Sequence, residues 1–278
     1  MTFVIWFLDF FIMSSSLSKK ELLPPFLISL TIVIIITFVS LSDNQTRVVF
    51  CDVGQGDAAY IRIKNKFDIL IDAGPGQSVM SCLGKYMPFY DKKIEMVILS
   101  HPEKDHYGGL IYLITRYKID RLITGKINFQ TKTFVDLLKK ITQAKIVLIS
   151  LDQIKIYDIL HDRLELFPQN GSTTNETSML AFFEENNTKV LFTGDYDFKI
   201  MPANLVIDPV SILKVPHHGS KNGLTEKLLK ITQPKIAVIS VGKNNSYGHP
   251  AKKIIDLLKK YGVIIRRTDE EGNIIFKL

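Results

Sequence analysis

Ser100-His101-Pro102-Glu103-Lys104-Asp105-His106-Tyr107-Gly108-Gly109 follows the apolar run Met96-Val97-Ile98-Leu99 and crowds four residues able to hold a metal ion into one loop. His101, Glu103 and Asp105 alternate, so an extended backbone would throw them to one side. His106 comes next, just before a glycine pair that lets the chain turn close to whatever is bound. Imidazole and carboxylate in one cluster suit zinc or manganese.

Three later segments place ligand-type residues after short apolar runs in the same way. Thr193-Gly194-Asp195 follows Leu191-Phe192, Pro216-His217-His218-Gly219-Ser220 follows Ile212-Leu213-Lys214-Val215, and Tyr247-Gly248-His249-Pro250 lies beyond Ile236-Ala237-Val238-Ile239-Ser240. In an α/β fold, ligands collect beyond the carboxyl ends of strands, so four such endings can converge on one pocket. Five of the six histidines lie in these segments.

Each residue type suggests a role. Asp105 and His106 read as metal ligands, and Glu103 as either a ligand or an outer acceptor holding a ligand imidazole. Asp195 at a Gly-Asp strand end reads on its own as a turn or cap residue. Alternation along extended backbone would point His217 and His218 apart, leaving one to bind metal and the other to pack or orient substrate. His249, between a glycine and a proline, is a ligand or a proton donor to a leaving alkoxide. Asp57 and Asp72 read as hydrogen-bonding supports for neighbouring loops. Ser220 beside His218 lacks a third orienting group, which argues against a serine nucleophile.

From about Arg47 onward the chain resembles the metallo-β-lactamase-type domain that ends the ComEC-type DNA-uptake channel proteins of competent bacteria. The resemblance rests on Asp52-Val53-Gly54-Gln55-Gly56-Asp57, Leu70-Ile71-Asp72-Ala73-Gly74, the 101–109 loop, Thr193-Gly194-Asp195, Lys214-Val215-Pro216-His217-His218-Gly219-Ser220 and Tyr247-Gly248-His249-Pro250, in that order. It implies a four-layer αβ/βα sandwich, one or two divalent transition-metal ions (zinc or manganese) and hydrolysis of phosphodiester bonds, in DNA. His101, Glu103, Asp105, His106, Asp195, His217 and His218 would form the metal set, with Asp105, Asp195 and His249 carrying the chemistry. Two departures stand out. Most members have His, and the ComEC-type branch Asp, where Glu103 stands; and the histidine many members place before the Thr-Gly-Asp turn is replaced by Asn175-Glu176-Thr177-Ser178, His161 being the only other histidine of that interval. A hydrolase of a small or cell-wall phosphodiester, or a DNA-guiding module without catalysis, are the alternative readings.

With 278 residues, 46% hydrophobic and 23% charged, the chain can bury an ordinary core and is not disordered in composition. Residues 22–41 carry no charge and match the roughly 20 apolar residues that cross a bilayer, with Pro24 and Pro25 at a helix start. The organisation expected is a short apolar segment over 1–21, a transmembrane helix over 22–42 and a hydrolase domain over 46–278. Lys19 and Lys20 before the span, against Arg47 after it, favour a cytoplasmic N-terminal flank and a domain on the outer face of the cell membrane. A separate DNA-uptake channel subunit is a natural partner. Cys51 and Cys82 read as small core residues that could pair in an oxidising compartment.

Segment 1–43 holds two lysines against Asp9, Glu21 and Asp43, so the rest of the chain carries one positive unit more than the +7 of the whole. Such a surface attracts a polyanion such as DNA, with Lys214, Ser220, Lys221, Lys243, Lys252 and Lys253 as candidate contacts near the ligand turns. Apolar patterning predicts strands at 58–63 and 67–71 around a turn, then at 96–99, 145–149, 164–167, 179–183 and 189–192. The final third reads as strand, loop, helix: 212–215 before 225–231, then 236–239 before 251–261. Strands at 263–266 and 274–276 flank a Glu271-Gly272-Asn273 turn.

Overall fold

Val48 and Phe50 face one apolar layer while Val49 between them faces another, and the same period of two runs through the other central strands. In the computed structural model, which describes residues 19–42, 45–127, 131–200 and 207–278, this alternation generates two stacked sheets. Gln45–Leu278 and Met1–Asn44 form separate compact units.

The first sheet has the order β14-β1-β2-β3-β4-β5-β6, built from β1 Arg47–Phe50, β2 Ala59–Ile63, β3 Phe67–Ile71, β4 Lys93–Leu99, β5 Lys118–Thr124, β6 Val147–Ser150 and, from the chain end, β14 Ile274–Lys277. The second runs β13-β12-β11-β10-β9-β8-β7, with β7 Lys155–Ile159, β8 Asp162–Phe167, β9 Leu180–Glu185, β10 Thr188–Phe192, β11 Ile212–Lys214, β12 Ile236–Ile239 and β13 Ile264–Arg267. Both are mixed. β1 to β3 pair antiparallel and β3 to β6 parallel, while β7 to β10 pair antiparallel and β10 to β13 parallel.

Three apolar layers hold this together. Phe50, Ile61, Ile69, Ile98, Phe183, Val190 and Val238 meet between the sheets. Val97 and Leu99 turn outward toward Phe134, Leu137 and Ile141, and Leu191, Leu213 and Ile239 toward Leu228 and Leu258. The outer partners are helices, so the layers run helix, sheet, sheet, helix, as the resemblance implied. Each fully buried aliphatic side chain contributes about 1.5–3 kcal/mol.

The helices start where their sequences signal. Thr131 precedes the helix Lys132–Gln143 and accepts from Phe134 N at 3.3 Å, and Thr225 accepts from Leu228 N at 3.2 Å at the start of Glu226–Thr232. The helix expected over 251–261 spans Lys252–Lys260 and buries Ile254 and Leu258. Helices Ser78–Tyr86, Leu110–Arg116 and Lys132–Gln143 and strands β1, β5 and β7 are additions to the sequence reading. Strand β6 begins two residues later than expected, because Lys145 takes a left-handed turn (φ 57°) out of the preceding helix. The Glu271-Gly272-Asn273 turn does not close a hairpin: β13 joins the second sheet and β14 the first, where Arg47 opposes Lys277.

Cys51 and Cys82 are both buried and are joined by a disulfide, Cα to Cα 5.7 Å. Core position and pairing thus coincide, and the bond ties the residue after β1 to the helix Ser78–Tyr86.

In the N-terminal unit the helix Lys19–Ser42 contains Pro24 and Pro25 rather than starting at them, because Lys19-Lys20-Glu21 extends it backward. Among its side chains that are described, at 23–34, Leu23, Phe26, Leu27, Ile28, Ile32 and Ile34 are exposed. Among the described residues, which in this helix include side chains only at 23–34, no helix is long and apolar enough to cross a membrane. The apolar stretch expected within 1–21 lies almost wholly outside the described residues.

Candidate metal centre

The carboxyl ends of parallel strands from both sheets meet at one edge of the sandwich. Asp72 leaves β3, Ser100 and His101 leave β4, Gly194 and Asp195 follow β10, His217 and His218 follow β11, and Ser240 follows β12. Four of the side chains placed there, Asp105, His106, Asp195 and His218, bring ligand-type atoms within 4.8 Å of one another.

The 101–109 loop reaches this point by a different path from the extended one its spacing suggests. Lys104–Tyr107 is a single helical turn, so Asp105 and His106 approach as consecutive helical residues, Nε2 of His106 lying 4.0 Å from Asp105 Oδ2. The glycine pair serves packing, not ligand approach: a Cβ on Gly108 or Gly109 would collide with the backbone carbonyls of Pro75 and Ala73. Glu103 turns away from the group of four. Its side chain is 37% exposed, accepts a hydrogen bond from Thr174 Oγ1 and lies 4.0 Å from His101 Nε2.

Each of the three buried histidines is tethered through Nδ1. His106 Nδ1 lies 2.8 Å from Asp72 Oδ2. Ser100 Oγ donates to Asp72 Oδ2 at 2.7 Å, so its lone pair is left to accept from His101 Nδ1 at 3.0 Å. His218 Nδ1 donates to the carbonyl of Ser240 at 3.0 Å. The hydrogen-bond network thereby assigns the proton to Nδ1 and directs each Nε2 inward. Inside, Nε2 of His101 and of His106 make no hydrogen bond although buried. His106 Nε2 stands 3.3 Å from Asp195 Oδ1, and His218 Nε2 stands 3.3 Å from Asp105 Oδ2 and 3.7 Å from Asp195 Oδ2.

Asp72 is positioned by Ser100, whose backbone N–H donates at 2.8 Å in addition to the hydroxyl. This is the supporting role its sequence position implied. Asp57 pairs with the Lys214 ammonium and lies 3.3 Å from His218 Nδ1. Asp57 and Asp72 also approach each other around His106; both oxygens of Asp72 and Oδ2 of Asp57 are engaged by Ser100, His106 and Lys214, while the buried Oδ1 of Asp57 makes no hydrogen bond.

Left-handed backbone shapes the second-sheet side. Gly194 has φ 50° in the tight turn before Asp195, and a Cβ there would sit 2.8 Å from Ser100 Cβ. His217 and His218 have φ of 51° and 53°, a conformation costly for non-glycine residues and characteristic of functional loops. The pair therefore does not splay as an extended strand would. Both rings turn toward Asp195, His217 Nε2 at 3.6 Å with its side chain 35% exposed and His218 from inside.

The carboxylates set the protonation of the rings. Burial disfavours the charged form of His106, yet Asp195 and Asp72 hold its pKa well above the ordinary imidazole range. His218 follows suit, burial being outweighed by Asp195 and Asp57, and is pushed up to about 10. His101 goes the other way, to about 3, through burial and the neighbouring His106. Burial would raise Asp195, but His218 and His106 keep it well below the usual carboxylate range. For Asp57, Lys214 and His218 likewise outweigh burial and lower it. The centre draws positive charge, and its inward donors are imidazole nitrogen and carboxylate oxygen. That set fits zinc or manganese.

The substrate contacts expected from sequence divide. Lys214 is not a rim residue: it is 3% exposed, donates to the Gly194 carbonyl at 3.0 Å and is consumed by Asp57. Ser220 is buried in the turn after the histidine pair, its N–H donating to the His217 carbonyl at 2.8 Å. Lys221, Lys243, Lys252 and Lys253 are exposed. His249 lies outside the group of four, its ring 5.9 Å from that of His217, with its pKa lowered by burial and by His217. Ser100, Thr174, Asn175 and Ser240 were missed as supports. Ser100 was legible as a hydroxyl directly before a ligand histidine, whereas Ser240 acts through its carbonyl and leaves no side-chain signal.

Residues 51–243 match the family model of the metallo-beta-lactamase superfamily, and the chain belongs to that superfamily. Among curated relatives it is similar to ComE operon protein 3 of Bacillus subtilis, 28% identical over 84% of this chain and 33% of that protein. It is also similar to Recombination protein 2 of Haemophilus influenzae, 29% identical over 86% of this chain and 30% of that one. The chain thus spans about a third of the length of these relatives. Among solved structures, the metallo-beta-lactamase fold protein YhfI of Bacillus subtilis shares the fold with a TM-score of 0.57 at 13% identity, over 84% of this chain and 100% of that one.

Proposed function

We propose that the chain is a membrane-anchored, metal-dependent phosphodiesterase that cuts DNA during DNA uptake. The observation that carries this reading is the convergence of the Nε2 atoms of His106 and His218 on Asp105 and Asp195, each ring tethered through Nδ1. A divalent cation would be held by Asp105, His106, Asp195 and His218, and His101 and Glu103, 4.0 Å apart, are the donors left for a second. When bound, the cation supplies Lewis acidity toward water and a phosphoryl oxygen.

The protein's own groups do the rest. Asp72 fixes the orientation of His106, and Lys214 with Asp57 locks the floor under His218. Asp195 is the carboxylate shared by both halves of the site. His249 is the group assigned to hand a proton to the leaving alkoxide at the mouth, and since burial and His217 lower its pKa this role would be strongest at acidic pH. Lys221 and Lys243 follow the strand backbone without reading bases. The similarity to ComE operon protein 3 supports the uptake context.

Residues 22–42 serve as the anchor, with the 46–278 domain outside the cytoplasmic membrane next to a channel subunit. The uncharged apolar run at 22–41, Lys19 and Lys20 on its near flank and the Cys51–Cys82 disulfide support this placement. A second reading, a DNA-guiding module without catalysis, is favoured by Glu103, which engages Thr174 and stays out of the group of four.

Hydrolysis of a labelled single-stranded oligodeoxynucleotide by the full chain, with manganese or zinc added, separates the two. Asp195→Asn keeps the shape but removes the shared charge. It should lower the rate by more than the roughly 10- to 100-fold that outer partners of metal ligands carry. A wild-type chain that binds DNA yet cleaves none with either ion would leave the guiding module as the function.

A further inference from the structure

A cavity of about 420 Å³ opens beside the metal centre, with His217 and His249 on its inner side and Lys221 and Tyr247 at its rim. Its size suits a small-ligand cleft. The rim carries a feature that phosphodiester hydrolysis alone does not require. Tyr247 is 69% exposed, although a tyrosine ring normally buries its apolar faces.

The ring is nevertheless held in place. The Asn245 carboxamide accepts from Tyr247 N at 3.2 Å and from His249 N at 3.0 Å, and donates to the carbonyls of His249 and Gly242 at 2.6 and 3.0 Å. One side chain thus staples the 242–249 loop. Tyr247 lies nearly parallel to His249, 25° between planes and 5.8 Å between centroids. His249 in turn stands 5.9 Å from His217, whose Nε2 is 3.6 Å from Asp195. A series of rings leads from the acidic centre to an open aromatic face, and Lys221 and Lys199 add positive charge beside it, Lys199 reaching Asn222 Oδ1 at 2.8 Å.

We infer that this cavity is a nucleotide subsite in which Tyr247 stacks the unpaired base next to the cleaved phosphate while Lys221 faces the adjoining phosphate. The inference rests on the phosphodiesterase reading and narrows its substrate to single-stranded DNA. A base inside a duplex has both faces covered by its neighbours, so along a strand only an unpaired base can lie on Tyr247, a duplex offering one free face at each end alone. Aromatic stacking tolerates every base, so the subsite selects strandedness and not sequence.

Fluorescence anisotropy of a labelled single-stranded oligodeoxynucleotide with the full chain, in the presence of a chelator so that the strand stays intact, tests it. Tyr247→Ala should weaken binding roughly tenfold. Tyr247→Phe keeps the ring, loses the hydroxyl and should bind as the wild type does. An abasic oligonucleotide should bind the wild type more weakly and Tyr247→Ala with no further loss. Equal affinity of wild type and Tyr247→Ala would overturn the subsite, and so would Tyr247→Phe behaving like Tyr247→Ala. Cleavage is scored separately with metal added. Cleavage without any dependence of binding on Tyr247 overturns the subsite and spares the phosphodiesterase, whereas Tyr247-dependent binding without cleavage supports the subsite and removes the phosphodiesterase.

Discussion

The two sheets build their halves of the metal centre by different means. On the first-sheet side, side-chain hydrogen bonds do the positioning: Ser100 holds Asp72, Asp72 holds His106, and Ser100 also meets His101. On the second-sheet side the backbone does it, through left-handed Gly194, His217 and His218 and through the Ser240 carbonyl. A half held by side chains can be loosened one partner at a time. A half held by backbone geometry moves as a unit, and there charge is the more direct way to perturb it.

The largest effect expected from this contrast, short of removing a ligand, is on the first-sheet side. Asp72→Ala frees the Nδ1 of His106 and should lower metal affinity by roughly 10- to 100-fold, read by competition with a chromophoric chelator. An unchanged affinity would mean that Asp72 does not orient the ring.

The second-sheet half responds to pH. His218 keeps its proton up to about 10 in the metal-free chain, since Asp195 and Asp57 outweigh burial, and a cation needs that nitrogen neutral. Apparent metal affinity should therefore rise with pH throughout the range below about 10, by roughly tenfold per unit for each displaced proton, and level off above it. In the metal-free chain the same shift contributes stability that is complete below the unfolded value near 6.5 and is lost as pH rises toward 10. Calorimetry in buffers of different ionisation enthalpy counts the protons released. Release of none at pH 7 would contradict the protonation assigned to His218.

The smallest effect belongs to Glu103. It is 37% exposed and engaged by Thr174, so Glu103→Gln should change affinity at the Asp105, His106, Asp195 and His218 group by about fivefold or less. A larger loss would bring Glu103 into that group and make the two halves more alike.

The same contrast explains what the sequence disclosed. The layers were legible because strands such as β3 and β4 are buried on both faces and so read as short apolar runs, and strand-end placement told where ligands gather. The loop at 101–109 was legible in composition but not in path, since alternation cannot show that Lys104–Tyr107 winds into a helical turn against the carbonyls of Pro75 and Ala73. The His217-His218 pair misled for a related reason. Its left-handed backbone is imposed by the turn after β11, and only the three-dimensional setting shows both rings facing Asp195. Lys214 looked like a surface cation because its partner Asp57 lies far away in the chain. The helix Ser78–Tyr86 escaped notice because nine residues give its buried face, Val79, Cys82 and Leu83, too few turns to repeat.

Metal content per chain tests the central claim most directly, measured by elemental analysis of the full-length wild type and His106→Ala after equilibration with zinc or manganese and removal of excess ion. The account predicts one or two ions per wild-type chain and a clear loss in the variant with its fold retained by circular dichroism. Equal metal content in the two proteins would contradict it.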